Sequence, residues 1–367
     1  LPHDVAAERR VLLAIGNNQG LAGEEPLRYA ESDARQVETL FVSLGGVAKS
    51  DARVILGAKP WRIKKVLNGL AVRGRGKIDA VVVYYSGHGD EFSLHLSGAK
   101  FPLEQFRKHL AELPVPLKIV VLDSCRFDGA VRGDSWFHTG KRLKITLTSP
   151  AGHRGLVELL AAGRGQASTE SKVLTGGVFT HYLLNGLRGA ADRNGDKLVT
   201  VHEAYDYAYG LTLKHAIRTM DTIQRPEGNF DYSGYGPLVL TQTARAESAL
   251  YFPKEGEVRY SVFRLPSPSV VAAVIEDVPG EADRRVMVTV PAGRYLVSRR
   301  GHGRNAAAEV ALTFGGERRL TRNDFHPRSR EPPDAKGGLA LVHRHVVNAR
   351  YDMIVSHSDS LGHRMSL

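Results

Sequence analysis

Two apolar runs decide the reading of this chain: Lys118-Ile-Val-Val-Leu-Asp-Ser-Cys125 and Ala80-Val-Val-Val-Tyr-Tyr-Ser-Gly-His88-Gly89-Asp90. Each is too short for a buried helix and rich in β-branched residues, so each predicts a strand covered on both faces. Each ends on a reactive side chain. In open α/β sheets the carboxyl ends of strands carry the active site. A thiol and an imidazole delivered there form a Cys–His pair, the arrangement of a cysteine protease.

Working outward, residues 10–240 alternate strand and helix patterns. Arg10–Gly16 and Ala52–Gly57 predict strands. So do Leu143–Thr148, as a fifth, and Pro237–Thr241, as a sixth. Helices are predicted over Ala30–Leu44, Ile63–Leu70, Leu103–Leu113, Val178–Leu187 and Val201–Met220. In the first of these, Val37, Leu40, Phe41 and Leu44 recur at helical spacing. Arg73–Lys77 reads as an exit loop. The expected class is α/β: a mostly parallel six-stranded sheet flanked by helices.

After about residue 243 the pattern becomes short alternating strands at Val286–Val290, Arg294–Val297 and Val310–Phe314, with turns at Pro291–Gly293 and Gly315–Glu317. Residues 243–367 therefore predict a small all-β, sandwich-like domain after a catalytic domain over 1–242. Within it, 326–338 reads as a flexible loop, and the tail beyond Tyr351 carries no pattern.

Composition narrows the function classes. Hydrophobic residues make up 42% and charged residues 24% of the 367, enough for a sizeable core. The net charge of +11 is spread through the chain and not gathered into a stripe with aromatics, so nucleic acid is not the expected partner. No stretch reaches the roughly 18 apolar residues that span a bilayer. The single cysteine excludes an internal disulfide. The chain opens Leu1-Pro-His-Asp without Met, which reads as a trimmed chain or a removed signal peptide. Export is the expectation taken here, over a cytoplasmic location.

The chemistry follows from the pair. His88 is expected to take the proton of the Cys125 thiol and later return it to the leaving amine. The N–H groups of Gly89 and Cys125 are candidate oxyanion donors. The glycines flanking His88 permit a sharp turn beside substrate. No cofactor is needed.

The blocks Tyr84-Tyr-Ser-Gly-His-Gly89 and Leu122-Asp-Ser-Cys125 resemble the caspase-like clan of cysteine peptidases, and look most like bacterial caspase-like proteins and metacaspases. Leu27–Ala34, Thr146–Ser149, Glu170-Ser171 and Gly177–His181 agree, so the resemblance covers roughly residues 8–242. It departs at Asp123-Ser124, where caspases carry Gln-Ala, and at Arg126-Phe-Asp-Gly129, where metacaspases usually carry His-Ser-Gly. The resemblance implies His88 as base and Cys125 as nucleophile. It also implies a substrate pocket built on Asp33 and Asp123, and hence cleavage of proteins or peptides after Arg or Lys. Alternative roles for these two are a helix N-terminal charge for Asp33 and a structural acceptor for Asp123. A junction between larger and smaller subunits is implied near 160–175.

The polar stretch Ala161–Lys172 is expected to be exposed and cleavable, by the enzyme itself at Arg164 or Lys172 or by an activating protease. A loop with Arg132, Lys141 and Arg142 is a second candidate. The run Asp192–Glu203 has the spacing of a calcium loop, with Asp192, Asn194, Asp196, the Leu198 carbonyl, Thr200 and Glu203 as ligands, but Lys197 stands where Gly is usual. Its alternative is a tight turn whose acids cap the next helix. A catalytically silent scaffold is the competing reading for the whole chain.

Overall fold

The computed structural model describes residues 8–73, 78–125, 152–172, 174–219, 223–255, 258–265, 270–275, 285–301 and 304–327. The expected strand Leu143–Thr148, the Arg132/Lys141/Arg142 loop, the stretch Arg126–Gly129, most of 326–338 and the tail lie outside them. The chain divides into two compact units, Leu1–Ala246 and Glu247–Leu367.

The first unit is built on six strands: β1 (Arg10–Asn17), β2 (Val47–Leu56), β3 (Ala80–Gly87), β4 (Leu117–Asp123), β5 (Arg154–Leu160) and β6 (Glu227–Ser233). Their order is β6-β5-β4-β3-β1-β2, parallel throughout except for β6, which runs antiparallel to β5. Every residue of β1 and β3 is buried, as their unbroken apolar runs require.

Helices cover both faces. On one, Ile63 and Leu67 of α2 (Pro60–Arg73) and Leu103, Phe106 and Leu110 of α3 (Leu103–Ala111) pack on Leu13, Ile15, Val83, Tyr85 and Leu122. On the other, Val37 and Phe41 of α1 (Ala30–Ser43) and Leu183 and Leu184 of α4 (Val178–Asn185) meet Val82, Tyr84, Ile119 and Val121. α5 (Val201–Thr219) packs on α4.

One strand assignment changes. The sixth strand of the sheet is Glu227–Ser233, and the expected run near Pro237–Thr241 instead pairs, as Val239–Gln242, with Leu198–Thr200 in a separate ribbon. The run is apolar and buried, but burial does not say which strand it joins. The true edge strand is half-exposed and polar, so it carries no apolar signal. The fifth strand is Arg154–Leu160.

The second unit is all β. A five-stranded antiparallel sheet holds Val270–Ile275, Arg259–Leu265, Gly293–Gly301, Arg304–Leu312 and His326–Pro327. A second sheet places Ser248–Tyr251 between Met287–Val290 and Gly316–Arg319. Tyr260 stacks between Phe252 and Phe325 in its core. The buried Glu255 carboxylate takes both Arg299 and Arg322.

Candidate active site

The reversal of strand order falls between β1 and β3, and the site forms at the carboxyl ends beside it. The β3–β4 register sets Tyr85 opposite Leu122 and Ser86 opposite Asp123. Two residues further along, His88 and Cys125 leave neighbouring strand ends, which lie about 4.8 Å apart in a sheet. The loops touch there: a Cβ on Gly89 would lie 3.2 Å from both Cβ and Oγ of Ser124. The structure thus brings the two sequence-selected groups to one rim.

The His88 ring is half-buried, and its Nε2–H donates to the Glu25 carbonyl at 2.8 Å. A carbonyl can only accept, so this bond puts the proton on Nε2 and leaves the Nδ1 lone pair for a neutral ring to accept with. Glu25 belongs to the loop from Asn18 to Leu27, closed by Leu27 N–H to the Asn18 carbonyl at 2.8 Å. Gly20 lies against the ring; a Cβ there would sit 2.7 Å from His88 Cδ2 and 2.0 Å from Glu24 Oε2. No residue larger than glycine fits without moving His88 or Glu24.

Glu24 meets a second histidine. His95, 5% exposed, bonds through Nδ1 to Glu24 Oε1 at 2.6 Å and through Nε2 to Asp90 Oδ2 at 2.9 Å. Lys100 Nζ donates to the same Asp90 oxygen at 2.7 Å. Burial pushes the Asp90 carboxyl up, but the bonds from Lys100, His95, Phe92 N–H and Ser93 outweigh it and hold it far below the usual range.

Cys125 is half-buried, and its thiol donates to the Ser168 carbonyl at 3.3 Å. Burial raises its pKa; the nearby Asp123 and Glu24 charges add to that, against the Ser168 contact. In this geometry the thiol holds its proton, and each member of the pair is bonded to a carbonyl.

Behind the thiol lie the two expected pocket carboxylates. Asp33, in the first turn of α1, is 2% exposed, and Asp123, ending β4, is 5% exposed. Asp33 Oδ2 accepts Gly177 N–H at 2.8 Å, so this residue does not simply serve its own helix terminus. Asp123 accepts the Ser168 hydroxyl, the Thr180 hydroxyl at 2.5 Å and Thr180 N–H at 3.3 Å. Gly177 lies between them: a Cβ there would be 2.6 Å from Asp123 Oδ2 and 3.3 Å from Asp33 Oδ2. Burial, reinforced by the charges of Asp123 and Glu170, lifts the Asp33 carboxyl well above the ordinary range despite the Gly177 bond. Burial likewise raises Asp123 against its three donors.

Glu170 is a third carboxylate that the pocket reading missed, although its residue helped carry the resemblance. It is half-buried and accepts Arg28 N–H at 2.9 Å and Tyr29 N–H at 2.8 Å, at the entry to α1.

The expectation that Ala161–Lys172 is a freely exposed segment does not hold. Ala161 to Gly163 are buried, and Thr169 Oγ1 donates to Gln224 Oε1 at 2.8 Å. Arg164 forms an ion pair at 2.9 Å with the buried Glu91. The segment threads past the thiol, so polar composition here reflects site contacts and not solvation. Gly165 and Lys172 remain exposed.

The calcium reading also changes. Asp192 accepts the N–H groups of Gly195 at 2.8 Å and Lys197 at 3.0 Å. Asp196 accepts Leu198 N–H at 2.8 Å and the Asn194 amide at 2.9 Å. Glu203 accepts Thr200 N–H at 2.9 Å and its own N–H donates to Thr200 Oγ1 at 3.2 Å, a capping box that opens α5. Among the described residues, no group of three or more His, Cys, Asp and Glu side chains is gathered to hold a metal. As arranged, the loop carboxylates accept backbone N–H groups and are not gathered round a common point, so they do not form a calcium cage.

Comparison with known proteins follows the same lines. Residues 9–214 match the family model described as caspase domain. Among solved structures, caspase-1 from Spodoptera frugiperda is similar, with 13% identity, 64% of this chain and 92% of that chain covered, and a TM-score of 0.48. Among curated proteins none matches. Since the family match takes in more than half of the 367 residues, the chain belongs to the caspase-domain family of cysteine peptidases.

Proposed function

We propose that the chain is an endopeptidase that cuts after Arg or Lys with Cys125 as nucleophile and His88 as base. The observation that carries the chemistry is the His88 Nε2–H bond to the Glu25 carbonyl, which directs a basic Nδ1 away from that carbonyl. Once the thiol turns from Ser168 to Nδ1, the imidazole takes its proton and the thiolate attacks the scissile carbonyl carbon. The carbonyl π electrons move to oxygen. The antiparallel bridge of Gly89 with Leu94 is made by the neighbouring bonds His95 N–H to His88 O and Asp90 N–H to Ser93 O. The Gly89 N–H therefore points off the ribbon and, with that of Cys125, can receive the oxyanion. Collapse breaks the C–N bond, and the amine leaves with the proton from His88. Water, deprotonated by the same ring, then cleaves the thioester and restores the thiol.

Specificity rests on Asp33 and Asp123, with Glu170 adding negative charge at the same place. A guanidinium or ammonium would offset the burial, and the added repulsion, that raise both carboxyls, by charge-assisted hydrogen bonds. Self-processing is assigned to the exposed Lys172, since Arg164 is held by Glu91.

The test is turnover of fluorogenic peptides ending in Arg, Lys or Asp, alongside Cys125→Ala, with an arginyl electrophile mapped by mass. Turnover after Arg and Lys, lost in Cys125→Ala, and a label on Cys125 are expected. Equal rates for the two proteins would support the silent scaffold. Turnover after Asp alone would remove the pocket role of the carboxylates.

A further inference from the structure

The base side of the cleft holds a charged cluster that the dyad chemistry does not itself use. His95 sits on the hairpin Ser93–Leu96 and Ala99–Pro102, whose turn is closed by Ser97 at φ 45 and Gly98 at φ 84. The hairpin tip is stitched to the Asn18–Leu27 loop: Ser97 N–H donates to the Gln19 carbonyl at 3.0 Å and Gly98 N–H to the Gly20 carbonyl at 2.8 Å. Glu24 ties the same loop inward, accepting Leu21 N–H at 2.6 Å on Oε2 and His95 Nδ1 at 2.6 Å on Oε1. The next residue in the chain is Glu25, whose carbonyl holds His88. Tyr85 Oη donates to the His88 carbonyl at 2.6 Å and lies 3.2 Å from the His95 carbonyl, so both histidines hang from one buried phenol.

We propose that His95 is a positioning residue for the catalytic base: clamped between Glu24 and Asp90, it fixes the peptide that follows Glu24 and thereby the Glu25 carbonyl that orients His88. This rests on the reading of His88 as the base. Both ring nitrogens of His95 face carboxylate oxygens, so the full clamp uses two N–H donors, the imidazolium form. The charged and titratable groups around it are Glu24, Asp90, Lys100 and His88. Burial pushes the Glu24 carboxyl up, while the Leu21 N–H, His95 and His88 bring it below its usual range, so it stays an acceptor. Losing the Nδ1 bond leaves Glu24 held by Leu21 N–H alone, and losing the Nε2 bond lets the ring turn away from Glu24. The Glu25 carbonyl then loses its fixed direction, and the imidazole can rotate or take the other tautomer.

The test uses His95→Gln and Glu24→Gln in the full chain, with His88→Ala as reference. Cys125 is the only cysteine, so the pH profile of its alkylation by iodoacetamide, read by intact mass, reports the thiol and its base without substrate. His88→Ala is expected to move the profile to higher pH, and both glutamine variants to move it in the same direction. With an arginyl peptide, kcat should fall about 10- to 100-fold while KM stays within about twofold, the signature of a misplaced reacting group. If His88→Ala leaves the profile where it was, the dyad reading fails. If His88→Ala moves it and both glutamine variants overlay wild type in profile and kcat, the dyad stands and the positioning role is overturned. Should His95→Gln lose its thermal transition, Glu24→Gln decides alone, because it keeps the shape of the side chain that accepts Leu21 N–H.

Discussion

The two walls of the proposed site, base and nucleophile, hold their carboxylates in opposite ways. On the base wall, Asp90 accepts from Lys100, His95 and two backbone N–H groups, and its pKa is driven far down although burial opposes this. On the nucleophile wall, Asp123 accepts three bonds, against five on Asp90 with the Ser93 hydroxyl included, and its pKa is raised. The donors differ in kind as well as in number. The donors of Asp123 are hydroxyls and an amide, those of Asp90 include cationic side chains, and Asp123 is the deeper of the two. Neutral donors soften desolvation; an opposite charge reverses it. The base wall is thus electrostatically settled within the chain itself. A substrate guanidinium would do for Asp33 and Asp123 what Lys100 does for Asp90.

The largest effect that probes this contrast is loss of a pocket carboxylate. Asp33 has Gly177 N–H as its donor, whereas Asp123 is woven into Ser168, Thr180 and, through Thr180, Tyr84. Asp33→Ala is expected to lower kcat/KM on arginyl peptides about 100- to 1,000-fold, the worth of two hydrogen bonds to a charged group. It should leave the melting temperature little changed. Asp123→Ala should cost activity and stability together, because it strands buried hydroxyls, at about 1–3 kcal/mol each. Steady-state kinetics and thermal melts on both variants measure the difference. An Asp33→Ala enzyme that cuts after Arg at the wild-type rate would show that the cation is bound elsewhere.

A smaller effect sharpens the same comparison through pH. The folded pKa of Asp33 lies above its unfolded value. Its contribution to stability is therefore fully present below the unfolded value of about 3.9 and is lost as pH rises through the folded pKa. At pH 8 wild type carries the burden of a buried charge that Asp33→Asn lacks. Asp33→Asn should melt at a higher temperature than wild type near pH 8, with the gain shrinking to nothing near pH 3.5. Binding runs the other way: a cation favours the ionised pocket, so KM for arginyl peptides should fall as pH rises through the Asp33 titration. A melting difference independent of pH would mean that Asp33 is not held neutral by its surroundings.

How far the sequence carried this reading differs by element. β1, β3 and β4 were legible because both faces are covered, which makes the strand nearly all apolar and leaves its last residues conspicuous. The carboxylates at 33 and 123 could be named through the family resemblance. Ser168, Thr180 and Gly177 could not, since small polar residues in an irregular segment look the same whether they face solvent or a site. The edge strand Glu227–Ser233 was missed for the converse reason: half of it is wet, so its composition is that of a loop. His95 was invisible because its meaning lies in Glu24, 71 positions away, in a stretch without periodicity. In the second unit the turns were plain, but Gly293–Gly301 runs on into Ser298-Arg-Arg-Gly301, and Arg304–Leu312 begins six residues before the expected Val310–Phe314, in an alanine-rich stretch without alternation.

The smallest expected effect concerns the Asp192–Glu203 loop, a third set of carboxylates that belongs to neither wall. Here backbone N–H groups supply what cations supply to Asp90, and Lys197, at φ 68, occupies the turn position where a calcium loop takes glycine. An ion would have to draw these side chains together against a nearby lysine. Added calcium, at about 1 mM, should therefore shift the melting temperature by less than about 1 °C. A site occupied at 100 times its Kd would contribute about 2.7 kcal/mol, or several degrees in a domain of this size, so the two outcomes are well separated. Lys197→Gly isolates the cause. Glycine relieves the left-handed backbone and removes the charge; a calcium response that appears only in this variant would make the lysine the barrier. No response in either protein would leave the backbone donors as sufficient reason, and a full response in wild type would overturn the capping assignment of Asp192 and Glu203.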